Sequence, residues 1–331
     1  NVILISLLNL VEIKPKNTNV QIKTLNLNFY NIIFCFNSFH LIVNSFKPDV
    51  VHSNLFHAII FSRIYRLFNS VPKLICTHHG MSETSFFRRI LFRMTESLVD
   101  INTAVSEFSA QDFLESRSGI NRKMQIVHNG IDLNYFKFNK SKRDELKLFL
   151  KIPNKTKILL AVGRLVWEKD FSNLLKSFSL CLNIEPNLHL IIIGDGPLKN
   201  DLYDYSTRLD INNKVTFLGY RNDTRFWYSV ADVFVSSSIR EGFGLSLIEA
   251  MACEIPIVAT NCGIVSNFPK NLINFTKTTD STELSKSIMS SLFKNKSTNR
   301  ILIEERYKFI KETFSLNKIV SSWISIYSTK L

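Results

Sequence analysis

The chain has 331 residues, 45% apolar and 21% charged, with a formal net charge of +13 at pH 7. This length fits two domains of ordinary size with real hydrophobic cores, and the charge speaks to partners and solubility rather than to fold. Five scattered cysteines (Cys35, Cys76, Cys181, Cys253, Cys262) form no C-x-x-C pair, so neither a zinc site nor a disulfide framework is indicated, and a reducing cytoplasm fits best. No apolar run reaches the roughly 18 residues needed to span a bilayer. The N-terminus lacks the basic patch and cleavage pattern of a signal peptide, and a chain opening on Asn1 rather than Met reads as trimmed at its start.

In chain order, residues 2–8 form an apolar run of strand length, and residues 20–28 alternate as a second strand. Residues 31–46 are apolar and aromatic and read as a helix, broken by Lys47-Pro48-Asp49. A short strand at residues 50–52, a helix at 55–68 and a strand at 73–77 follow. Strands alternating with helices predict a parallel sheet covered on both faces. No glycine precedes Gly80. A G-x-G-x-x-G loop after the first strand is therefore absent, which argues against a nicotinamide-dependent enzyme.

Residues 86–94 (F-F-R-R-I-L-F-R-M) are basic and aromatic, with Phe86, Ile90 and Arg93 on one helical face. They suit either contact with an anionic membrane surface or a helix with a buried aromatic side. Residues 97–108 read as a strand followed by a Ser-Glu helix start. Asn129-Gly130 is turn chemistry, and the lysine-rich residues 137–151 read as a linker and leading helix of a second domain. Residues 157–162 are a strand ended by Gly163, with Arg164 and Lys169 just beyond it. Phe171, Leu174, Leu175, Phe178 and Leu182 follow a helical period and belong to the core. Residues 188–193 are a buried strand capped by Gly194-Asp195-Gly196-Pro197. A further strand (214–218) leads to Gly219, Tyr220 and Arg221, then a helix (223–230) and a strand (232–236). Residues 280–293, 301–314 and 314–331 read as the closing helices.

Residues 240–260 (R-E-G-F-G-L-S-L-I-E-A-M-A-C-E-I-P-I-V-A-T) read as loop, helix and strand. Gly242 and Gly244 allow a sharp turn and close approach to a ligand. The helix from Leu245 is stopped by Pro256. A helix opening from such a loop presents free N–H groups and a positive dipole end to an anion. Glu241 stands at the loop, and Glu249 shares a helical face with Leu245. Acids at these two places suit the hydroxyls of a ligand whose phosphates rest on the helix mouth, as in a sugar nucleotide. Arg164 and Lys169, at a strand end of the same sheet, suit a diphosphate: arginine as a bidentate fork, lysine as a compact charge.

E-G-F-G-L-S-L-I-E-A-M-A resembles the E-x7-E signature of the retaining glycosyltransferases of the GT-B fold, family four in the usual numbering. The resemblance extends over nearly the whole chain and is strongest over residues 157–260. It implies an α/β protein of two Rossmann-like domains facing across a cleft: an acceptor-side domain over 1–136, a nucleotide-sugar domain over 137–313 and a C-terminal helix over 314–331 that packs back on the first. The chain starts at what would be the family's second strand, so the N-terminal domain is expected to be incomplete, without the first Gly-rich loop. Asn54, flanked by His52 and His57, stands where the family often has histidine. His79 matches a histidine of the cleft. Val127 to Asp132 resemble the crossing turn between domains. Asn261-Cys262-Gly263-Ile264 stands where a Gly-Gly turn is common, here with one glycine.

The resemblance implies transfer of a sugar from a nucleoside diphosphate-sugar to an acceptor hydroxyl with retention, in cell-surface polysaccharide or lipopolysaccharide synthesis. Glu241, His79, Arg164 and Lys169 are the expected catalytic residues. Arg164, Lys169, Gly194, Gly196, Tyr220, Arg221, Glu241, Gly242, Phe243, Gly244, Leu245 and Glu249 are the expected donor site, with Glu241 on sugar hydroxyls and Glu249 on the ribose. No metal or other cofactor is expected. Partners are the donor, a glycan or lipid-linked acceptor and an anionic membrane at the inner face of the plasma membrane, with no nucleic acid. The alternative is an inactive sugar-nucleotide-binding remnant. An epimerase of the same fold needs more acids and bases than the sequence assigns.

Overall fold

The computed structural model describes the chain except residues 10–13, 16, 29, 81–85, 116–123, 264, 266, 267, 270, 295, 330 and 331, and except the side chains of 296–299. The chain divides into two compact units. Unit 1 holds Asn1–Ala104, Ala110–Ile126 and Thr329–Leu331, and unit 2 holds Val105–Ser109 and Val127–Ser328.

In unit 1 the strands β1 (Ile3–Ser6) and β2 (Gln21–Thr24) pair in parallel as a small sheet of their own. Helix α1 (Ile32–Phe46) follows, closed by Lys47 in the left-handed region ahead of Pro48. Then β3 (Val51–Asn54), α2 (Leu55–Phe68), β4 (Leu74–His78), α3 (Phe86–Met94), β5 (Ile101–Ala104), α4 (Glu107–Glu115) and β6 (Gln125–Ile126) alternate. The parallel sheet β3-β4-β5-β6 results. Every residue of β4 and β5 is buried, as both-faced cover of a parallel sheet requires. Cys35 and Phe39 of α1 and Ile59 to Phe61 of α2 form the core, and Ile5, Leu7, Leu25 and Leu27 pack against it.

Unit 2 takes in the start of α4 and then α5 (Lys140–Phe149), β7 (Lys157–Val162), α6 (Phe171–Leu182), β8 (Leu188–Ile193), α7 (Lys199–Arg208), β9 (Val215–Gly219), α8 (Arg225–Val230), β10 (Val233–Ser236), α9 (Leu245–Ala252), β11 (Ile257–Thr260), β12 (Asn274–Thr276), α10 (Ser281–Leu292), α11 (Lys296–Phe314) and α12 (Leu316–Ser328). All neighbours in the sheet β12-β11-β10-β7-β8-β9 are parallel. The two-residue period of a strand sends alternate side chains to opposite faces. Ile158 and Leu160 join a core with Tyr228, Leu247, Ile248 and Ile310. Leu159 and Ala161 join another with Leu174, Phe178, Leu202 and Leu284. Helices thus cover both faces, and every βα connection opens at the same C-terminal edge, where open α/β sheets bind ligands.

The helices read at 301–314 and 314–331 are α11, which runs through Phe314, and α12, which begins at Leu316 and ends at Ser328. The break is at Ser315, which bridges to Ile131, while the carbonyl of Phe314 accepts the Ile131 N–H. Ile264 lies outside the described residues, so the turn read at 261–264 is described only through Gly263. Among the described residues, no helix is long and apolar enough to cross a membrane.

Candidate active site

The loop between β10 and α9 is anchored residue by residue. The Glu241 carboxylate pairs with the Lys169 ammonium, and Ser238 Oγ donates to the same Oε2 at 3.3 Å. The turn at Trp167–Lys169 is stitched to this loop by the N–H groups of Ile239 and Arg240, which share the Glu168 carbonyl. Ser237 Oγ donates to the Lys169 carbonyl at 2.8 Å. Lys169 and Glu241, far apart in sequence, therefore meet because β7 and β10 are sheet neighbours.

Gly244 has φ +83° and ends the loop in the left-handed region, which glycine enters without the Cβ penalty. Its carbonyl accepts from Leu247 and Ile248 and so starts α9. Among the described residues, the N–H groups of Phe243, Gly244, Leu245 and Ser246 have no hydrogen-bond acceptor, and no side chain caps the helix. The helix thus opens on free N–H groups at its positive dipole end. The Phe243 side chain is only 4% exposed. It packs on His128 and Phe314 in an aromatic cluster, so what Phe243 presents to a ligand is its backbone N–H.

Glu249 sits one turn inside α9 and is half-buried. Tyr228 Oη donates to its Oε2 at 2.5 Å. Burial raises the Glu249 carboxyl above the usual range, and the tyrosine hydrogen bond pulls partly the other way. Tyr228, on α8, is a residue sequence reasoning missed: nothing in the spacing of a lone tyrosine signals a partner on another helix.

Arg164 lies just past β7, with an exposed side chain and no side-chain partner among the described residues. The Gly194-Asp195-Gly196 turn folds onto the same stretch. A Cβ on Gly194 would run into the Gly163 carbonyl, and one on Gly196 into that of Leu165. These two predicted site glycines thus have a packing role, letting the turns after β7 and β8 touch. Tyr220 and Arg221 follow β9, two strands from β7. Tyr220 is 63% exposed, and the Arg221 guanidinium lies 5.8 Å from the centroid of the Trp227 ring. Gly263 (φ +62°), which the sequence marked only as a turn, lies beneath Glu241, where a Cβ would meet its carbonyl and its own Cβ.

In unit 1, His79 follows β4, and its Nε2 is 2.9 Å from Asn54 Oδ1 at the end of β3. Burial lowers the His79 pKa, so it is a neutral hydrogen-bonding group at neutral pH. His52 is further inside, 2.6 Å from Thr77 Oγ1. Burial, then the charge of His79, lowers its pKa to about 4. His57 is exposed against Phe56. Among the described residues, no group of three or more His, Cys, Asp or Glu side chains is placed to hold a metal ion.

Two parallel α/β units, one with a Glu-Gly loop opening an unpaired helix mouth beside a lysine, are the architecture of the GT-B glycosyltransferases. Residues 142–309 match the family described as Glycosyl transferases group 1, and residues 14–135 match Glycosyltransferase Family 4. The chain belongs to the group 1 glycosyl transferases. It is 26% identical over 307 residues to the UDP-Gal:alpha-D-GlcNAc-diphosphoundecaprenol alpha-1,3-galactosyltransferase of Escherichia coli, covering 84% of this chain and 78% of that one. It is 27% identical to the N-acetyl-alpha-D-glucosaminyl L-malate synthase of Bacillus anthracis, covering 84% and 73%. Among solved structures, Anabaena Alr3699/HepE in complex with UDP and glucose superposes with a TM-score of 0.82 at 20% identity, covering 94% of this chain and 87% of that one.

Proposed function

We propose that the protein transfers a sugar, with retention, from a nucleoside diphosphate-sugar to an acceptor hydroxyl on a lipid-linked glycan. The observation that carries this reading is the α9 mouth: four unpaired N–H groups beside the Lys169–Glu241 ion pair, with Arg164 exposed past the neighbouring strand. Without donor, the carboxylate and ammonium satisfy one another. With donor, phosphate oxygens take the place of the carboxylate on Lys169, and Glu241 is released to sugar hydroxyls. Cleavage of the bond from the sugar C1 to the β-phosphate oxygen builds negative charge on the leaving diphosphate. Each donor preorganised for that charge lowers the barrier by roughly 3 kcal/mol. Arg164, Lys169 and the Phe243 to Ser246 N–H groups are those donors in this reading, and Glu249 takes the ribose hydroxyls.

The named relatives support the substrate classes. One is named for a UDP-galactose donor and a diphosphoundecaprenol-linked acceptor, and HepE is seen with UDP and glucose. For the acceptor, unit 1 supplies the neutral His79 and its partner Asn54. Synthesis of cell-surface polysaccharide or lipopolysaccharide, at the inner face of an anionic membrane, is the corresponding place of work. The test is calorimetric titration with UDP-, GDP- and ADP-sugars, followed by transfer assays and product NMR. Binding of one donor, lost in Arg164→Ala and Glu249→Ala with the fold intact, is expected. Wild-type affinity in both variants removes these residues from the site, and an inverted product anomer overturns retention.

A further inference from the structure

The segment Val105–Ser109 joins a strand of unit 1 to a helix yet packs with unit 2. Ser106 precedes α4, and its Oγ accepts the Ser109 N–H at 3.0 Å, a helix cap. A hydroxyl that accepts in this way still has its own proton to give. Ser106 donates it to the carbonyl oxygen of Gly242 at 2.5 Å, and Ser109 Oγ donates to that same oxygen at 3.0 Å. Both serines are 0% exposed. The carbonyl of Val105 is in turn held by His128 Nδ1 at 2.8 Å, and the His128 ring packs against Phe243.

One partner suffices to satisfy a buried carbonyl. Two hydroxyls within hydrogen-bond reach of that oxygen, and 2.9 Å from one another, also fix the direction of the peptide plane. In a trans peptide the C=O of residue 242 and the N–H of residue 243 point to opposite sides. Holding the Gly242 oxygen therefore aims the Phe243 N–H away from the serines. That N–H is the first of the four unpaired donors at the α9 mouth. This peptide turns about ψ of Gly242 and φ of Phe243; the glycine gives it a freedom on one side that the two hydroxyls remove.

We infer that Ser106 and Ser109 are positioning residues for the donor's diphosphate, acting through the Gly242 carbonyl to aim the N–H groups of the E-G-F-G loop. This rests on the reading of the α9 mouth as the diphosphate site. Neither serine touches the ligand. Their effect falls on the terminal phosphate of a nucleoside diphosphate and spares the rest of the nucleotide.

The experiment titrates the full chain, wild type, Ser106→Ala, Ser109→Ala and Ser109→Thr, with UDP, GDP and ADP and the corresponding monophosphates, and follows thermal unfolding of each. For the nucleotide that the wild type binds, Ser109→Ala should weaken the diphosphate about tenfold, equivalent to ~1.4 kcal/mol. The monophosphate should change by less than about twofold on the same scale. Ser109→Thr, which keeps a hydroxyl, should restore diphosphate affinity. Equal loss of both nucleotides, failure of threonine to restore, or wild-type affinity in Ser109→Ala overturns the inference. Should Ser106→Ala fail to fold, Ser109→Ala carries the test, since it leaves the α4 cap oxygen in place. Arg164→Ala separates the two levels. If it loses the diphosphate while Ser109→Ala does not, only the positioning role falls. If Arg164→Ala binds as wild type, or the wild type binds none of the three diphosphates, the diphosphate site itself falls.

Discussion

Glu249, which we propose takes the ribose hydroxyls, shows how a single contact sets the state of a carboxylate. Its neighbour Tyr228 is wholly buried, and the 2.5 Å hydrogen bond between them is the force that favours the ionised acid against burial. Tyr228→Phe removes it. The Glu249 pKa then rises further, and the acid limb of donor binding moves to higher pH. The bond is present without donor, so its loss acts on affinity through protonation of Glu249: donor binding should weaken at the acid end of the range and be spared at the alkaline end. Calorimetric titration across pH 5–8 (a window of about three units around neutrality) checks this, and an unmoved acid limb refutes it. The place of Glu249 on the helix after the glycine loop was legible from its spacing to Leu245. Tyr228 was not, because a hydrogen bond between α8 and α9 leaves no mark on either helix's periodicity.

At the scale of elements, the β10–α9 connection is held by a core side chain at its centre. Phe243 meets His128 and Phe314, with centroids 5.8 and 5.6 Å away. Phe243→Ala leaves a cavity under the loop and should cost about 3–5 kcal/mol of stability, read as a lower unfolding midpoint in denaturant. Donor affinity should fall with it, and a variant that loses stability but binds donor normally shows that the loop does not depend on this anchor. Helix α3 is a different case. The sequence left open whether its aromatic side is buried or meets a membrane. The structure buries Phe92 (1%) but leaves Phe86, Phe87 and Met94 at 65%, 76% and 73% exposure, along with Arg88 and Arg93. Apolar and cationic side chains exposed on one short helix suit the surface of an anionic bilayer. The double change Phe86→Ser and Phe87→Ser should reduce sedimentation with vesicles containing anionic lipid and leave nucleotide binding unchanged. Equal sedimentation of variant and wild type rules out this helix as the contact.

For the molecule as a whole, stability against pH is set in part by buried neutral histidines. Burial lowers both His52 and His189 to about 4, with the Lys214 charge adding to the effect at His189. Above the ordinary value near 6.5 both are neutral, folded or unfolded. Between about 6.5 and 4 the unfolded chain takes up protons that the folded chain refuses, so stability falls as pH falls through that window. His189→Gln, which can keep a hydrogen bond to Thr216, should flatten the decline in melting temperature between pH 6.5 and 5. A slope identical to wild type overturns the assignment.

The alternation of strand and helix, the buried β7, β8 and β10, the core face of α6 and the loop-helix-strand at residues 240–260 were determined by the sequence itself. These features rest on local periodicity, on the φ freedom of glycine and on the φ restriction of proline, all of which act between near neighbours in the chain. Tertiary structure alone decided that Lys169 pairs with Glu241, that Gly194 and Gly196 are packing glycines, that Phe243 is an anchor and that two serines before α4 hold Gly242. Each is a contact between segments tens of residues apart: strand order brings the turns after β7, β8 and β10 to one edge, while the segments at Ser106, His128 and Phe314 reach the loop from outside that sheet.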